Sequence, residues 1–179
     1  ACADYLIQHG YTSPATLAAF GASAGGLLVG NAVVERPDLF AVAFPDIAVL
    51  DAGGMAQRDP NGPANWAEFG DPATEAGYKS VVGMSAYQKL KPGTAYPATM
   101  LIVGFNDTRV APWHAFKFAA RLQRASSSGK PALVRIDYET GHMTGDATLA
   151  AQQSQMADRF TFMLWQMGFP GFQPVPAMD

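Results

Sequence analysis

The sequence predicts an α/β fold built on a parallel sheet with helices on its faces, and three observations carry that expectation. Short apolar runs of strand length stand at 16–20, 39–44, 97–103 and 132–138. Stretches with apolar residues at helical spacing lie between and after them, so strands alternate with helices, as crossover units of a parallel sheet require. Three of the four runs also lead into turns that each carry one reactive side chain: Ser23, Asp107 and His142. In an open parallel sheet such groups collect along one edge, at the carboxyl ends of the strands.

The elements are legible in chain order. Residues 1–9 read as the end of a helix, with Ala3, Leu6 and Ile7 on one face and Gly10 as its stop; the chain start is therefore expected to be a cut within a longer polypeptide. His9 reads as a last-turn residue at the helix dipole. Thr12-Ser13-Pro14 is turn chemistry, and a short buried strand at 16–20 runs through Gly21 into a proline-free helix at 26–34, stopped by Glu35-Arg36-Pro37. A buried strand at 39–44 closes at Pro45-Asp46. From 48 to about 80 the periodicity fails, and Gly53-Gly54, Asp59-Pro60-Asn61-Gly62-Pro63 and Gly70-Asp71-Pro72 punctuate an irregular excursion holding Trp66 and Phe69. Long excursions of this kind are usually functional, so these aromatics either line a pocket or pin the loop to the core.

A short helix with Tyr87 is expected around 82–90. The apolar strand at 97–103 then ends in Gly104-Phe105-Asn106-Asp107-Thr108-Arg109-Val110. Residues 111–124 form an amphipathic helix with Pro112 near its first turn and His114 as a surface or packing residue. The strand at 132–138 leads into Glu139-Thr140-Gly141-His142-Met143-Thr144-Gly145, and 149–167 is a long helix whose Met156, Phe160, Met163, Leu164 and Trp165 are expected in the core.

Composition narrows the function. With 49% hydrophobic residues in 179, the chain is of single-domain size and has the material for a core. A net charge of −3 without a Lys/Arg cluster argues against nucleic acid or an anionic membrane as partner. No apolar run approaches a membrane span. Cys2 is the only cysteine, which excludes an internal disulfide and a cysteine-rich metal site, and no cofactor or metal is called for. The first residues show no signal sequence, and the compartment stays open between cytoplasm and periplasm.

The chemistry centres on Gly21-Ala22-Ser23-Ala24-Gly25, a G-x-S-x-G pattern between a strand and a helix. Such a nucleophile elbow lifts the serine hydroxyl clear of the sheet, with Gly21 and Gly25 at positions where a side chain would collide. The helix start places the Ala24 N–H where it would meet an oxyanion. Ser23, Asp107 and His142 also stand in the chain order of α/β-hydrolase triads, in which the histidine relays the serine proton and the aspartate fixes the imidazole tautomer. Asp46 is a rival for the acid, since it too follows a strand; Asp137 and Asp146 are weaker rivals.

These stretches resemble the C-terminal part of the catalytic domain of the prolyl oligopeptidase family, serine peptidases whose α/β-hydrolase domain is capped by a β-propeller. The resemblance lies in Gly21-Ala-Ser-Ala-Gly-Gly-Leu-Leu-Val29, Arg36-Pro-Asp-Leu-Phe40, Asn106-Asp-Thr-Arg-Val-Ala-Pro112, Lys117-Phe-Ala-Ala-Arg-Leu-Gln123 and Gly141-His142. It implies Ser23 as nucleophile, Asp107 as acid, His142 as base, and Arg109 as a ligand to a substrate carbonyl; an arginine beside an aspartate can also simply be its ion-pair partner. In members that cleave after proline, a tryptophan stands five residues before the glycine of an acidic-aromatic-Gly ending. Here Glu68-Phe69-Gly70 supplies the ending, Asn65 stands at the tryptophan position and Trp66 one place later. Asn65 and Trp66 are therefore the implied substrate-binding residues, and proline specificity is left open. Residues 1–179 then form a partial hydrolase domain, with the first sheet strands, the propeller and a second oxyanion donor expected from an N-terminal part of the same enzyme. The expected activity is hydrolysis of short peptides, with an esterase on the same scaffold or a noncatalytic fragment as alternatives.

Overall fold

A computed structural model describes residues 1–58, 62–142 and 147–175. Asp59-Pro60-Asn61, Met143-Thr144-Gly145 and the rival acid Asp146 lie outside the described residues. The order is α1 (Cys2–Gln8), β1 (Ala18–Ala22), α2 (Ala24–Glu35), a 3-10 turn (Pro37–Leu39), β2 (Val42–Asp46), α3 (Ala52–Arg58), a second 3-10 turn (Gly62–Asn65), α4 (Trp66–Phe69), α5 (Glu75–Gly83), α6 (Ala86–Lys89), β3 (Ala98–Gly104), α7 (Trp113–Ala125), β4 (Ala132–Asp137), α8 (Leu149–Gln166) and a last 3-10 turn (Pro170–Phe172).

The four strands form one parallel sheet in the order β1-β2-β3-β4, registered so that Ala22 pairs with Asp46 and Gly104 with Asp137. All four carboxyl ends therefore lie on the same side. Alternation along β3 sorts the core into two layers. Leu101 and Val103 pack with Phe118, Ala119 and Leu122 of α7 and Val34 of α2. Met100 and Ile102 pack with Val42, Phe44 and Phe162 of α8 on the opposite face. With helices on both sides, every residue of β2 and β3 is buried, which is why these strands read as continuous apolar runs.

Several boundaries differ from the sequence reading. β1 starts at Ala18 because Thr16 belongs to the preceding turn, its hydroxyl bonded to Ser13 Oγ at 3.0 Å. It is also not a buried strand: it lies at the sheet edge, and Phe20 is 60% exposed. β2 starts at Val42, since Pro37 opens a 3-10 turn closed by Leu39 N–H donating to the Arg36 carbonyl at 3.2 Å. The excursion after Ala48 is not structureless. Asp51 Oδ1 accepts the Gly54 N–H at 3.2 Å and Thr74 Oγ1 the Gly77 N–H at 3.1 Å, so side-chain acceptors immediately before α3 and α5 cap short helices that the sequence pattern does not mark. The single helix expected at 82–90 is two, broken at Met84-Ser85, where Ser85 Oγ donates to the Leu50 carbonyl. On α8, Met156 and Phe160 are exposed rather than core residues, one turn apart on a face that the described residues leave uncovered; Phe162 is the buried aromatic. His114 is buried, its Nδ1 accepting the Asp51 N–H. His9 Nδ1 contacts the Tyr5 carbonyl at 2.9 Å, as a last-turn residue does.

An edge strand with an exposed phenylalanine is a template for pairing. These 179 residues expressed alone are expected to self-associate through β1, which sedimentation velocity over a concentration series reads directly. A monodisperse monomer at every concentration would contradict this.

Candidate active site

β1 ends at Ala22 and α2 begins at Ala24, which leaves one residue to reverse the chain. Ser23 takes that position with φ 55 and ψ −119, a positive-φ conformation that a non-glycine residue holds only when its surroundings enforce it. Two backbone bonds enforce it: Ser23 N–H donates to the Asp46 carbonyl at 3.1 Å, and the Ser23 carbonyl accepts the Leu27 N–H at 3.0 Å. The turn is possible because α2 presses on β1. A Cβ on Gly21 would stand 2.3 Å from the Gly25 carbonyl oxygen. Gly25 differs from the sequence expectation, for a Cβ there would meet nothing within 4 Å; the second tight position is Gly26, where it would meet Ala48 and the Asp46 carbonyl.

The β3 and β4 ends are laced together. Phe105 N–H donates to the Asp137 carbonyl, Asn106 N–H to the Thr140 carbonyl, and Asn106 Nδ2 to the Tyr138 carbonyl at 2.8 Å. This brings Asp107 and His142 side by side. Asp107 is 5% exposed, and its Oδ1 accepts the N–H groups of Arg109 and Val110, both at 2.8 Å. Those two bonds orient the carboxylate so that Oδ2 meets His142 Nδ1 at 2.8 Å. On the other side of the ring, His142 Nε2 lies 3.0 Å from Ser23 Oγ. One hydrogen-bonded chain thus joins three strand ends, with Nδ1–H donating to Asp107 and Nε2 free to take a proton from Ser23.

The rival acids are engaged elsewhere. Asp46 accepts the Ile102 N–H at 2.9 Å and pairs with Arg159 at 2.5 Å, and its burial raises its pKa above the ordinary carboxylate value against the pull of those two partners. Asp137 accepts from Glu139 N–H and Gln155.

A cleft of about 160 Å³ opens beside Ser23, lined by Ala24, Leu27, Val49, Met55, Asn65, Glu68, Phe69, Arg109 and Val110. It holds Ala24, Asn65 and Arg109 together with the serine. Arg109 is exposed and makes no ion pair with Asp107. Trp66 is not among the lining residues; its indole N–H is buried with no hydrogen-bond partner among the described residues. Met55 was not singled out from the sequence and Glu68 only as part of the Glu68-Phe69-Gly70 ending, because a segment without periodicity gives no signal for which of its side chains turn inward. Among the described residues no group of His, Cys, Asp and Glu is arranged to hold a metal ion.

The sequence model of the Prolyl oligopeptidase family matches residues 1–169. The chain is 38% identical over 170 residues to the prolyl endopeptidase of Elizabethkingia meningoseptica, covering 94% of this chain and 24% of that protein. It is 32% identical over 168 residues to the dipeptidyl aminopeptidase BI of Pseudoxanthomonas mexicana, covering 92% and 23%. Among solved structures, a prolyl endopeptidase superposes with a TM-score of 0.88 at 32% identity over 93% of this chain and 24% of its own. Oligopeptidase B from Leishmania major superposes with 0.87 at 29% identity over 93% and 23%. These superpositions place the four-stranded sheet within an α/β-hydrolase domain.

The elbow geometry makes a sharp distinction between its two glycines. Gly21→Ala is expected to destabilise by about 1–3 kcal/mol through overpacking, whereas Gly25→Ala stays within about 0.5 kcal/mol. Urea unfolding of the two variants checks this, and equal losses would contradict the packing described here.

Proposed function

The chain belongs to the prolyl oligopeptidase family, and on that premise we propose that it carries the triad of a serine peptidase acting on short peptides. It spans about a quarter of the length of the curated relatives it matches. In the proposed arrangement the rest of the polypeptide supplies the first sheet strands along β1, a β-propeller and a second oxyanion donor.

The observation that carries the reading is the unbroken chain from Ser23 Oγ through His142 to Asp107, ending on a serine held at positive φ. As a substrate carbonyl enters the cleft, Ser23 Oγ attacks its carbon and the hydroxyl proton passes to His142 Nε2. The imidazolium is stabilised by Asp107, whose Oδ2 already accepts from Nδ1. The Ala24 N–H, at the start of α2, donates to the oxyanion. His142 returns the proton to the leaving amine, and the acyl group stays on Ser23. Water then repeats the sequence with His142 as base and releases the acid.

Arg109 lines the cleft and makes no ion pair with Asp107, which suits it to a second carbonyl of a peptide. Asn65 and Phe69 line the same cleft, and with Trp66 outside it the stacking surface for a proline ring falls to Phe69. Cleavage after proline is therefore the narrower part of the proposal and depends on Phe69. The cleft geometry serves esters as well as amides at the acylation step, so only turnover separates a peptidase from an esterase.

In the longest natural polypeptide carrying these residues, Ser23→Ala is expected to lower kcat for a chromogenic peptide amide by several orders of magnitude with the fold retained, and Asp107→Asn by about a thousandfold or more. Near-normal turnover by either variant would remove the triad. Arg109→Ala should weaken kcat/KM for peptides by about 1.5–3 kcal/mol, the worth of a charged hydrogen bond, while leaving small acyl esters largely unaffected. Equal losses on both substrates would argue against a carbonyl-binding role.

A further inference from the structure

The face of α8 that meets the sheet carries two polar side chains one turn apart, and each reaches the end of a different strand. Gln155 Nε2 donates to Asp137 Oδ2 at 2.9 Å, and Asp137 closes β4 just before the segment that bears His142. Arg159 Nη2 donates to Asp46 Oδ2 at 2.5 Å, and Asp46 closes β2. The Arg159 guanidinium also lies 4.7 Å from the ring centroid of Phe20 on β1, the strand that leads into Ser23. Asp46 is in turn a junction. Its Oδ1 accepts the Ile102 N–H of β3, and its backbone carbonyl accepts the N–H of Ser23. Ser23 and Ile47, the two non-glycine residues with positive φ among the described residues, flank this junction in neighbouring chain segments.

The pair is well shielded, with the Asp46 side chain 6% and the Arg159 side chain 21% exposed. A buried ion pair is a poor device for stability alone, because apolar side chains of the same volume often serve as well or better, while a single charge left behind is costly. What this pair does supply is direction. It fixes the carbonyl that Ser23 must reach, and it ties that carbonyl to the helix following the His142 segment. Strained turns survive where such contacts over-determine them.

We infer that Asp46 and Arg159 are positioning residues for the proposed hydrolysis, holding the Ser23 turn at its distance from His142 through the contacts of α8. The inference rests on Ser23 being the nucleophile. A displacement of about 1 Å at a reacting group costs about a hundredfold in rate, so a loosened turn lowers kcat and leaves substrate affinity alone.

The experiment compares Arg159→Met, the double variant Asp46→Asn with Arg159→Met, and Ser23→Ala in the longest natural polypeptide carrying these residues. Peptide-amide kinetics, thermal melting and the rate of phosphonylation by a fluorophosphonate are measured for each. Arg159→Met is expected to lower kcat by about ten- to a hundredfold with KM within about twofold, and to slow phosphonylation by the same factor. The double variant, which leaves no unpaired charge, is expected to recover the melting temperature without recovering kcat. Unchanged kcat in Arg159→Met, or recovery of kcat together with melting temperature in the double variant, would make the pair merely structural and overturn the inference. Should the single variant not fold, the double variant alone decides, by its kcat. Ser23→Ala separates the two levels: if it stays active, the nucleophile assignment falls and the positioning role with it, whereas if it is inactive, a normal Arg159→Met counts against positioning only.

Discussion

Everything at this site depends on one backbone constraint, the reversal of the chain within the single residue Ser23. A strand paired to β2 and a helix pressed on the sheet meet there with no intervening loop, so the residue between them is held at φ 55. The conformation is unfavourable for serine in isolation. It is held by the pairing of Ala22 with Asp46, by the Ser23 N–H bond to the Asp46 carbonyl, and by the absence of side chains at Gly21 and Gly26. The same constraint puts the hydroxyl above the sheet edge and the first amide of α2 beside it. Geometry useful for acyl transfer is thus a consequence of how tightly a parallel strand and its crossover helix are joined.

The remaining parts of the site are placed by the sheet rather than by local sequence. Because all strands run the same way, loops after β1, β3 and β4 emerge on one side, although Ser23 and His142 are 119 residues apart. Burial on both faces makes β2 and β3 rigid supports. Asp107 gains its orientation from the turn it closes, with two backbone amides on one oxygen leaving the other for the histidine. β1, which leads into the serine, is by contrast an edge of the sheet that the described residues leave unpaired, with Phe20 60% exposed.

The parts legible in the sequence are those that chemistry or periodicity marks twice. The G-x-S-x-G run was recognisable because glycine spacing and a strand-to-helix change coincide, and Asp107 and His142 because each follows a run of strand length. The amphipathic α7 was equally plain. The short helices between Ala52 and Gly83 were not, since seven residues in α3, four in α4 and nine in α5 give too little repeat to separate a helix from a loop, and side-chain caps from Asp51 and Thr74 stabilise α3 and α5. The exposure of Met156 and Phe160 was hidden for a related reason: hydrophobic character says that a face is to be covered, not by what. Asp46 shows the limit most clearly. Its position after a strand made it look like an acid for His142, and only the arrival of Arg159 from α8, 113 residues later, shows where its charge is spent.

The most direct test of the assignment is chemical and independent of substrate choice. The longest natural polypeptide carrying these residues, treated with a fluorophosphonate and analysed by intact mass and peptide mapping, should take up one phosphonyl group on Ser23, and the His142→Ala variant should take up none on the same timescale. Labelling at another residue, or labelling of Ser23 that does not depend on His142, would contradict the account.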